Sequence, residues 1–330
     1  MSASPDSLTP SARAAPRPPE PRVAVVVPCY NEALTIARIV RDFRACLPHA
    51  QIYVFDNNST DNTGQIAREA GAIVRNVSMQ GKGSVVRRMF ADVEADAYVM
   101  IDGDGTYDAS AAPRLVDRLL HEGLDMVVGS RIGTEQAAYR FGHRVGNSLL
   151  TGVVSFIFGR TFTDILSGYR VFSRRYVKSF AAHSSGFEIE TELTVHALEL
   201  RMPVAEVETA YGARPQGSVS KLSTYRDGVR ILFTILRLFK SEKPLAFFSI
   251  AFAVFAIAAI DLAIPIVMTF LETGLVPRLP TAVLCAALML SGVVLLACGI
   301  ILADITRSRI EQKRFSYLAV PVFGAAGGHA

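Results

Sequence analysis

Cysteine is scarce and unpatterned in this 330-residue chain. The four present, Cys29, Cys46, Cys285 and Cys298, form no C-x-x-C pair and have no histidine at metal-finger distance, which argues against a structural zinc module and a disulfide framework. The six histidines show no ligand spacing and no Ser-His-Asp arrangement, so a triad hydrolase has no support. An excess of one charge is lacking as well: 34 basic and 30 acidic residues leave a net +4, and composition gives no reason to expect a nucleic-acid partner. Residues 1–21 hold six prolines and no apolar core. They also lack the roughly 7–15-residue apolar stretch of a signal peptide, and read as a disordered cytoplasmic tail.

What the chain does have is apolar length. Half of it is hydrophobic and 19% is charged, with a mean hydropathy of +0.31, a balance that places part of the chain in lipid. From residue 22 to about 135, apolar runs at Val23–Val27, Ile52–Phe55, Ala72–Val74, Tyr98–Ile101 and Met126–Val128 alternate with helical spacing over Leu34–Leu47, Asp61–Ala70, Ser84–Glu94 and Ala112–Glu122. This alternation predicts an α/β domain with a mostly parallel sheet covered by helices on both faces. The pattern from 136 to 240 is less regular, with one further strand expected at Val204–Tyr211.

Leu245–Leu271 and Leu279–Ala303, 27 and 25 residues long, are almost uniformly apolar, and about 20 residues suffice to cross a bilayer. Two transmembrane helices joined by a turn at Glu272–Arg278 are therefore expected. Arg237, Lys240 and Lys243 precede this hairpin and Arg307, Arg309, Lys313 and Arg314 follow it, against Arg278 alone in the turn, which puts both termini in the cytoplasm. Tyr225–Lys243 mixes apolar and basic residues as a membrane-surface helix does. Asp261, midway through the first span, needs protein, water or a second helix beside it, which allows a homo-oligomer through the hairpin. The expected organisation is a tail at 1–21, an α/β domain at 22–222, a juxtamembrane amphipathic helix at 223–244, two spans within 245–303 and a cytoplasmic tail at 304–330.

Ligands of open α/β sheets bind at the carboxyl ends of the strands. Four polar clusters fall there: Pro28-Cys29-Tyr30-Asn31-Glu32, Asp56-Asn57-Asn58-Ser59-Thr60-Asp61, Gln80-Gly81-Lys82-Gly83 and Asp102-Gly103-Asp104-Gly105. Each alone is an ordinary cap or turn; four at one sheet edge mark a site. Asp102 and Asp104, one residue apart beyond a buried strand, can hold one divalent cation. Carboxylate oxygens select a hard ion, Mg²⁺ or Mn²⁺, which keeps phosphate oxygens as further ligands. Glu188, Glu190 and Glu192 open a later helix, where acids suit the helix dipole as well as they suit a pocket.

Together with Gly129-Ser130-Arg131, the stretch Asp164-Ile165-Leu166-Ser167-Gly168-Tyr169-Arg170 and the stretch from Arg214 to Leu222, these motifs and their order resemble family 2 glycosyltransferases. They are most similar to the polyprenyl-phosphate sugar transferases, which include dolichol-phosphate mannose synthases and bacterial undecaprenyl-phosphate sugar transferases. The likeness covers about residues 22–240. It implies a GT-A fold, a Rossmann-like mostly parallel catalytic domain followed here by the two-helix transmembrane hairpin. It also implies that Pro28, Tyr30, Glu32, Asp56 and Lys82 line a nucleotide pocket, that Asp102 lies near the ribose and metal, and that Asp104 binds the metal on the diphosphate. Family members often carry a glutamine just after the aspartates; Thr106 stands there in this chain, so a third metal ligand is not assigned.

The chemistry such a site must supply follows from the reactants. A phosphate monoester has a second pKa near 6, so a lipid phosphate is already a dianionic nucleophile and requires no general base. The site must neutralise the leaving diphosphate and bring a second anion within reach. Arg131, Arg144, Arg170, Arg214 and Lys221 are the candidates for the acceptor phosphate, although Arg170 reads equally well as the partner of a carboxylate. Asp104, Arg131 and Arg214 are expected nearest the reaction. The resemblance implies inverting transfer of a sugar, from a UDP-hexose or UDP-N-acetylhexosamine, to polyprenyl phosphate at the cytoplasmic membrane face. Two other readings are a transferase that extends a glycan or polysaccharide and a non-catalytic, membrane-tethered nucleotide-sugar-binding protein. The first needs a base for a sugar hydroxyl and more membrane helices; intact Asp102 and Asp104 disfavour the second.

Overall fold

Side chains alternate across a strand, so a strand apolar at nearly every position is buried on both faces. The computed structural model, which describes residues 20–133, 151–152, 154–156, 159, 162–181, 188–212, 233 and 236–323, realises this arrangement. Strands β1 (Val23–Cys29), β2 (Gln51–Asp56), β3 (Ile73–Asn76), β4 (Ala97–Met100) and β5 (Met126–Gly133) alternate with helices α1 (Ile36–Cys46), α2 (Thr63–Glu69), α3 (Lys82–Asp92) and α4 (Ala112–His121). Strand β6 (Arg170–Ser173), helices α5 (Arg174–Ser179) and α6 (Ile189–Glu199) and strand β7 (Val204–Tyr211) follow. The sheet order is β3-β2-β1-β4-β6-β5-β7. Every pairing is parallel except those of β6, which lies antiparallel between β4 and β5.

The two faces have separate cores. On one, Val26, Tyr98, Met100 and Phe172 of the sheet pack with Met89 and Phe90 of α3, Tyr176 of α5 and Leu193 of α6. On the other, Val25, Val27, Val54 and Val99 meet Ile36, Val40 and Phe43 of α1 and Leu115 and Leu119 of α4. The buried positions of α1, at Ile36, Ile39, Val40 and Phe43, follow the three- and four-residue spacing of one helical stripe.

The domain is followed by α7 (Pro244–Thr273) and α8 (Leu279–Leu318), two helices long and apolar enough to cross a membrane, each with a mean hydropathy of 2.6 over its most apolar window. Their backbones approach closely at Gly299, where a Cβ would stand 2.8 Å from that of Phe248. The helix of α8 does not stop with the apolar run at Ala303 but continues through fifteen further residues to Leu318. The expected juxtamembrane helix is described at residues 236–242, which are helical.

Candidate active site

The strand-end loops are tied to one another by side chains that satisfy backbone groups. After β1, Asn31 takes a left-handed conformation (φ 54°), and its Oδ1 accepts from Thr60 N (2.7 Å) while its own N–H donates to Ser59 Oγ (2.9 Å). The Glu32 N–H donates to Thr63 Oγ1 (2.8 Å), and Asp56 Oδ1 accepts from Ser59 N (3.0 Å). Asn57 then joins this pair of loops to the third: its Nδ2 donates to the carbonyls of Val77 (2.9 Å) and Met79 (2.8 Å), and its Oδ1 accepts from Gly81 N (2.7 Å). The fourth loop is fixed by Thr35 Oγ1, which donates to Gly103 O (2.5 Å).

At the centre lies Lys82, the first residue of α3. Its Nζ donates to Asp102 Oδ1 at 2.5 Å and to Glu190 Oε1 of α6. Burial by itself would push this ammonium toward its neutral form, but Asp102 and Glu190 outweigh that and raise its pKa. One lysine held by two carboxylates leaves a net charge of −1. Among the described residues Glu190 Oε2 is buried with no hydrogen-bond partner. Behind Asp102 sits Gly168, where a Cβ would stand 2.2 Å from Asp102 Oδ2, so a side chain there would displace the Asp102 carboxylate. The Gly168 N–H donates to Tyr107 OH (2.8 Å), and burial raises the Tyr107 pKa, keeping the phenol protonated. The Asp104 carboxylate is nearly buried, and its Oδ1 accepts from Thr106 N (3.2 Å) and Oγ1 (2.6 Å).

With this geometry, known proteins can be compared. The model of glycosyl transferase family 2 matches residues 24–180. Glycosyltransferase AglJ of Haloferax volcanii is 38% identical over 301 residues, covering 90% of this chain and 98% of AglJ. The chain is a family 2 glycosyltransferase. A dolichyl-phosphate hexose transferase from the same organism is 28% identical over 222 residues, 67% of this chain and 95% of that protein. Glucosyl-3-phosphoglycerate synthase of Mycobacterium tuberculosis, solved with Mn²⁺, UDP-glucose and phosphoglyceric acid, superposes with a TM-score of 0.53 at 24% identity, covering 65% of this chain and 79% of the other. That likeness bears on the fold, which is GT-A-like.

In this glycosyltransferase the nucleotide-side residues expected from sequence fall at one edge of the sheet: Pro28 and Asp56 in the last residues of β1 and β2, Tyr30, Glu32 and Asp102 in the loops beyond β1 and β4, and Lys82 at the start of α3. Thr106 is a hydrogen-bond donor that orients Asp104. Among the described residues no group of three or more His, Cys, Asp or Glu side chains could hold a metal. A hard cation nonetheless fits the donor chemistry: two carboxylates on the loop that Thr35 pins, with phosphate oxygens to complete the shell.

The acceptor side needs correction. Arg170 opens β6 fully buried, its guanidinium donating to the carbonyls of Ser167 (2.9 Å) and Ile165 and to Thr194 Oγ1 (2.8 Å). It therefore braces the 164–168 turn from inside, which does not fit the acceptor-phosphate role expected for it. Arg131 is clamped by Asp164 through two bonds, Nε to Oδ2 (2.6 Å) and Nη2 to Oδ1 (2.7 Å), and its guanidinium lies 5.4 Å from the centre of the Tyr211 ring. Arg144, Arg214 and Lys221 lie outside the described residues. Sequence reasoning left the acidic run that holds Glu190 open between a pocket role and the helix dipole, quoted Asp164 only as the start of a motif, and gave Tyr107 no role. The structure brings Glu190 to Lys82 and Asp164 to Arg131; nothing local in the sequence marked Tyr107.

Proposed function

We propose that this transferase moves a sugar from a nucleotide diphosphate donor, a UDP-hexose or UDP-N-acetylhexosamine, to the phosphate of a polyprenol at the cytoplasmic membrane face, with inversion. The observation that carries the reading is one chain joining the Lys82–Asp102–Glu190 edge of a GT-A-like sheet to two helices of membrane-spanning length. Its likeness to a dolichyl-phosphate hexose transferase supports the same acceptor class. The catalytic domain is 22–222, the juxtamembrane helix 223–244 and the spans lie within 245–303, with both termini in the cytoplasm.

In a single displacement, a phosphate oxygen of the acceptor attacks the anomeric carbon. The bond from that carbon to the diphosphate breaks, and the nucleoside diphosphate leaves with the electron pair. An α-linked donor becomes a β-linked lipid phosphate, and no proton must be removed from the nucleophile. Asp102 and Asp104 would hold Mg²⁺ or Mn²⁺, which supplies positive charge to the leaving diphosphate. Lys82 is kept charged beside that position by its two carboxylates. Arg131, Arg144, Arg214 and Lys221 are proposed to meet the acceptor phosphate, where guanidinium forks bind in pairs of hydrogen bonds.

The test is a panel of nucleotide sugars assayed with undecaprenyl phosphate and, separately, with glycan hydroxyl acceptors, using the purified full chain. Transfer to the lipid phosphate is expected; transfer to glycans alone refutes the reading. Arg214→Ala should leave donor affinity near normal while lipid-phosphate turnover collapses, and Arg214→Lys should recover only part of it.

A further inference from the structure

A second polar cluster, away from the nucleotide edge, lies where α8 leaves the apolar hairpin. Forty helical residues span about 60 Å, whereas a bilayer core is about 30 Å thick. The part beyond Ala303 therefore projects about 20 Å past the span. One face of that projection is joined to the rest of the chain. Thr306 Oγ1 donates to Ser241 O (3.3 Å), and Arg309 donates to Ser241 Oγ (3.4 Å) and Glu242 Oε1 (3.2 Å). Lys313 Nζ donates to Glu199 Oε2 (2.6 Å), whose side chain is only 1% exposed. Ile310 and Tyr317 pack against the core under α3, α5 and α6. The Tyr317 hydroxyl donates to Asp125 Oδ2 (2.9 Å), and its ring lies 4.9 Å from the guanidinium of Arg175, which itself donates to Asp125 Oδ1 (2.5 Å).

Positions 306, 309, 310, 313 and 317 form one stripe of a helix, while Arg307, Glu311 and Phe315 on the other side are exposed. The anchors on the domain are equally specific. Glu199 ends α6, whose first turn presents Glu190 to Lys82. Asp125 immediately precedes β5, which carries Arg131. The helix emerging from the hairpin thus grips both elements that bring side chains to the reaction edge from the second half of the domain.

A lipid phosphate is confined to the plane of the bilayer surface, so a domain on a slack tether would present its site at every tilt and height. We infer that the end of α8 is a strut that fixes the orientation of the catalytic domain over the bilayer, with Lys313 and Tyr317 as positioning residues for transfer to a membrane-embedded acceptor. This rests on the lipid-phosphate reading above.

The experiment compares the full chain and its variants on undecaprenyl phosphate in lipid vesicles and on a short, water-soluble prenyl phosphate. Lys313→Glu is expected to lower kcat/KM on the vesicle acceptor by about tenfold or more, since small misplacements are costly. Its rate on the soluble acceptor and its donor affinity should stay near wild type. The exchanged pair Lys313→Glu/Glu199→Lys should restore most of the vesicle rate, and Tyr317→Phe should show the same preference for the soluble acceptor. Equal loss on both acceptors, or no loss on either, overturns the strut. If the wild type transfers to neither phosphate, the acceptor reading falls instead, and hydrogen exchange of 304–318 in vesicles then decides: slow exchange accelerated by Lys313→Glu supports docking, and fast exchange in the wild type refutes it.

Discussion

Lys82→Met removes the ammonium at the centre of the nucleotide edge while keeping an unbranched apolar stem. The side chains involved are 10% exposed for Lys82, 28% for Asp102 and 6% for Glu190, so the two carboxylates respond differently. Asp102 can fall back on water. Among the described residues Glu190 already has one oxygen without a partner, and the other would lose its bond to Lys82. Breaking a buried pair by removing one partner costs about 3–5 kcal/mol, and the lower end applies because a carboxylate left alone in a buried site can take up a proton. For a domain of about 200 residues, ~3 kcal/mol lowers the melting temperature by ~6–12 °C. The folded variant would then bind a proton that the unfolded chain does not, so its deficit should be smallest in acid and grow toward neutral pH. Adding Glu190→Gln replaces the orphaned carboxylate by a neutral amide and should recover more than half of the loss. Thermal unfolding of the full chain in detergent, followed by circular dichroism at about pH 5 and about pH 8, measures both effects. A single variant that melts with the wild type at the higher pH, or a double variant no more stable than the single, would refute the account.

Asp104→Asn keeps the Oδ1 that accepts both Thr106 bonds, so melting should barely move while turnover falls by ~10²–10³; full activity of the wild type in chelator would contradict the metal assignment. A reporter placed near Thr273–Gly274 should be extracytoplasmic and one at either terminus cytoplasmic, and a cytoplasmic signal from the turn would remove the two-span topology. Asp261 is exposed on α7, and an acid at mid-bilayer costs about 2.5–3.5 kcal/mol, so Asp261→Leu should change the oligomer size in detergent or the activity; no change in either would mark the acid as incidental. Burial beside Glu199 raises the Glu242 pKa to about 8, against the opposing pull of Arg309 and Lys313. Its stabilising contribution is therefore complete in acid and lost as pH rises toward 8; Glu242→Gln should flatten that decline in melting temperature, and an unaltered slope would show that another group causes it.

The first five strands and four helices fall within a few residues of their sequence-based limits, as when Leu34–Leu47 becomes α1 at Ile36–Cys46. Runs of β-branched residues with both faces covered leave little choice of state. Strand β6 escaped because four residues beginning with arginine carry no readable period, and its partners β4 and β5 are distant in the chain. The continuation of α8 to Leu318 was likewise hidden. Hydropathy reports where lipid ends, not where a helix ends, and the charged residues after Ala303 keep good helical spacing, including the pair Arg307–Glu311.

The site was legible where topology alone decides it, at the ends of parallel strands, and illegible where charges choose partners across the chain. Lys82 and Glu190 stand 108 positions apart, so neither residue announces the other. Their pairing changes what the edge can bind: Lys82 is matched by its own two carboxylates, and the divalent cation proposed for Asp102 and Asp104 would supply further positive charge to a diphosphate. Burial separates the arginines. Arg170 is enclosed by carbonyls and a hydroxyl and holds the 164–168 turn behind Asp102, so its replacement should weaken donor binding measured by calorimetry. Arg131, oriented by Asp164, is the one proposed for the acceptor phosphate, and its replacement should spare donor binding and slow transfer.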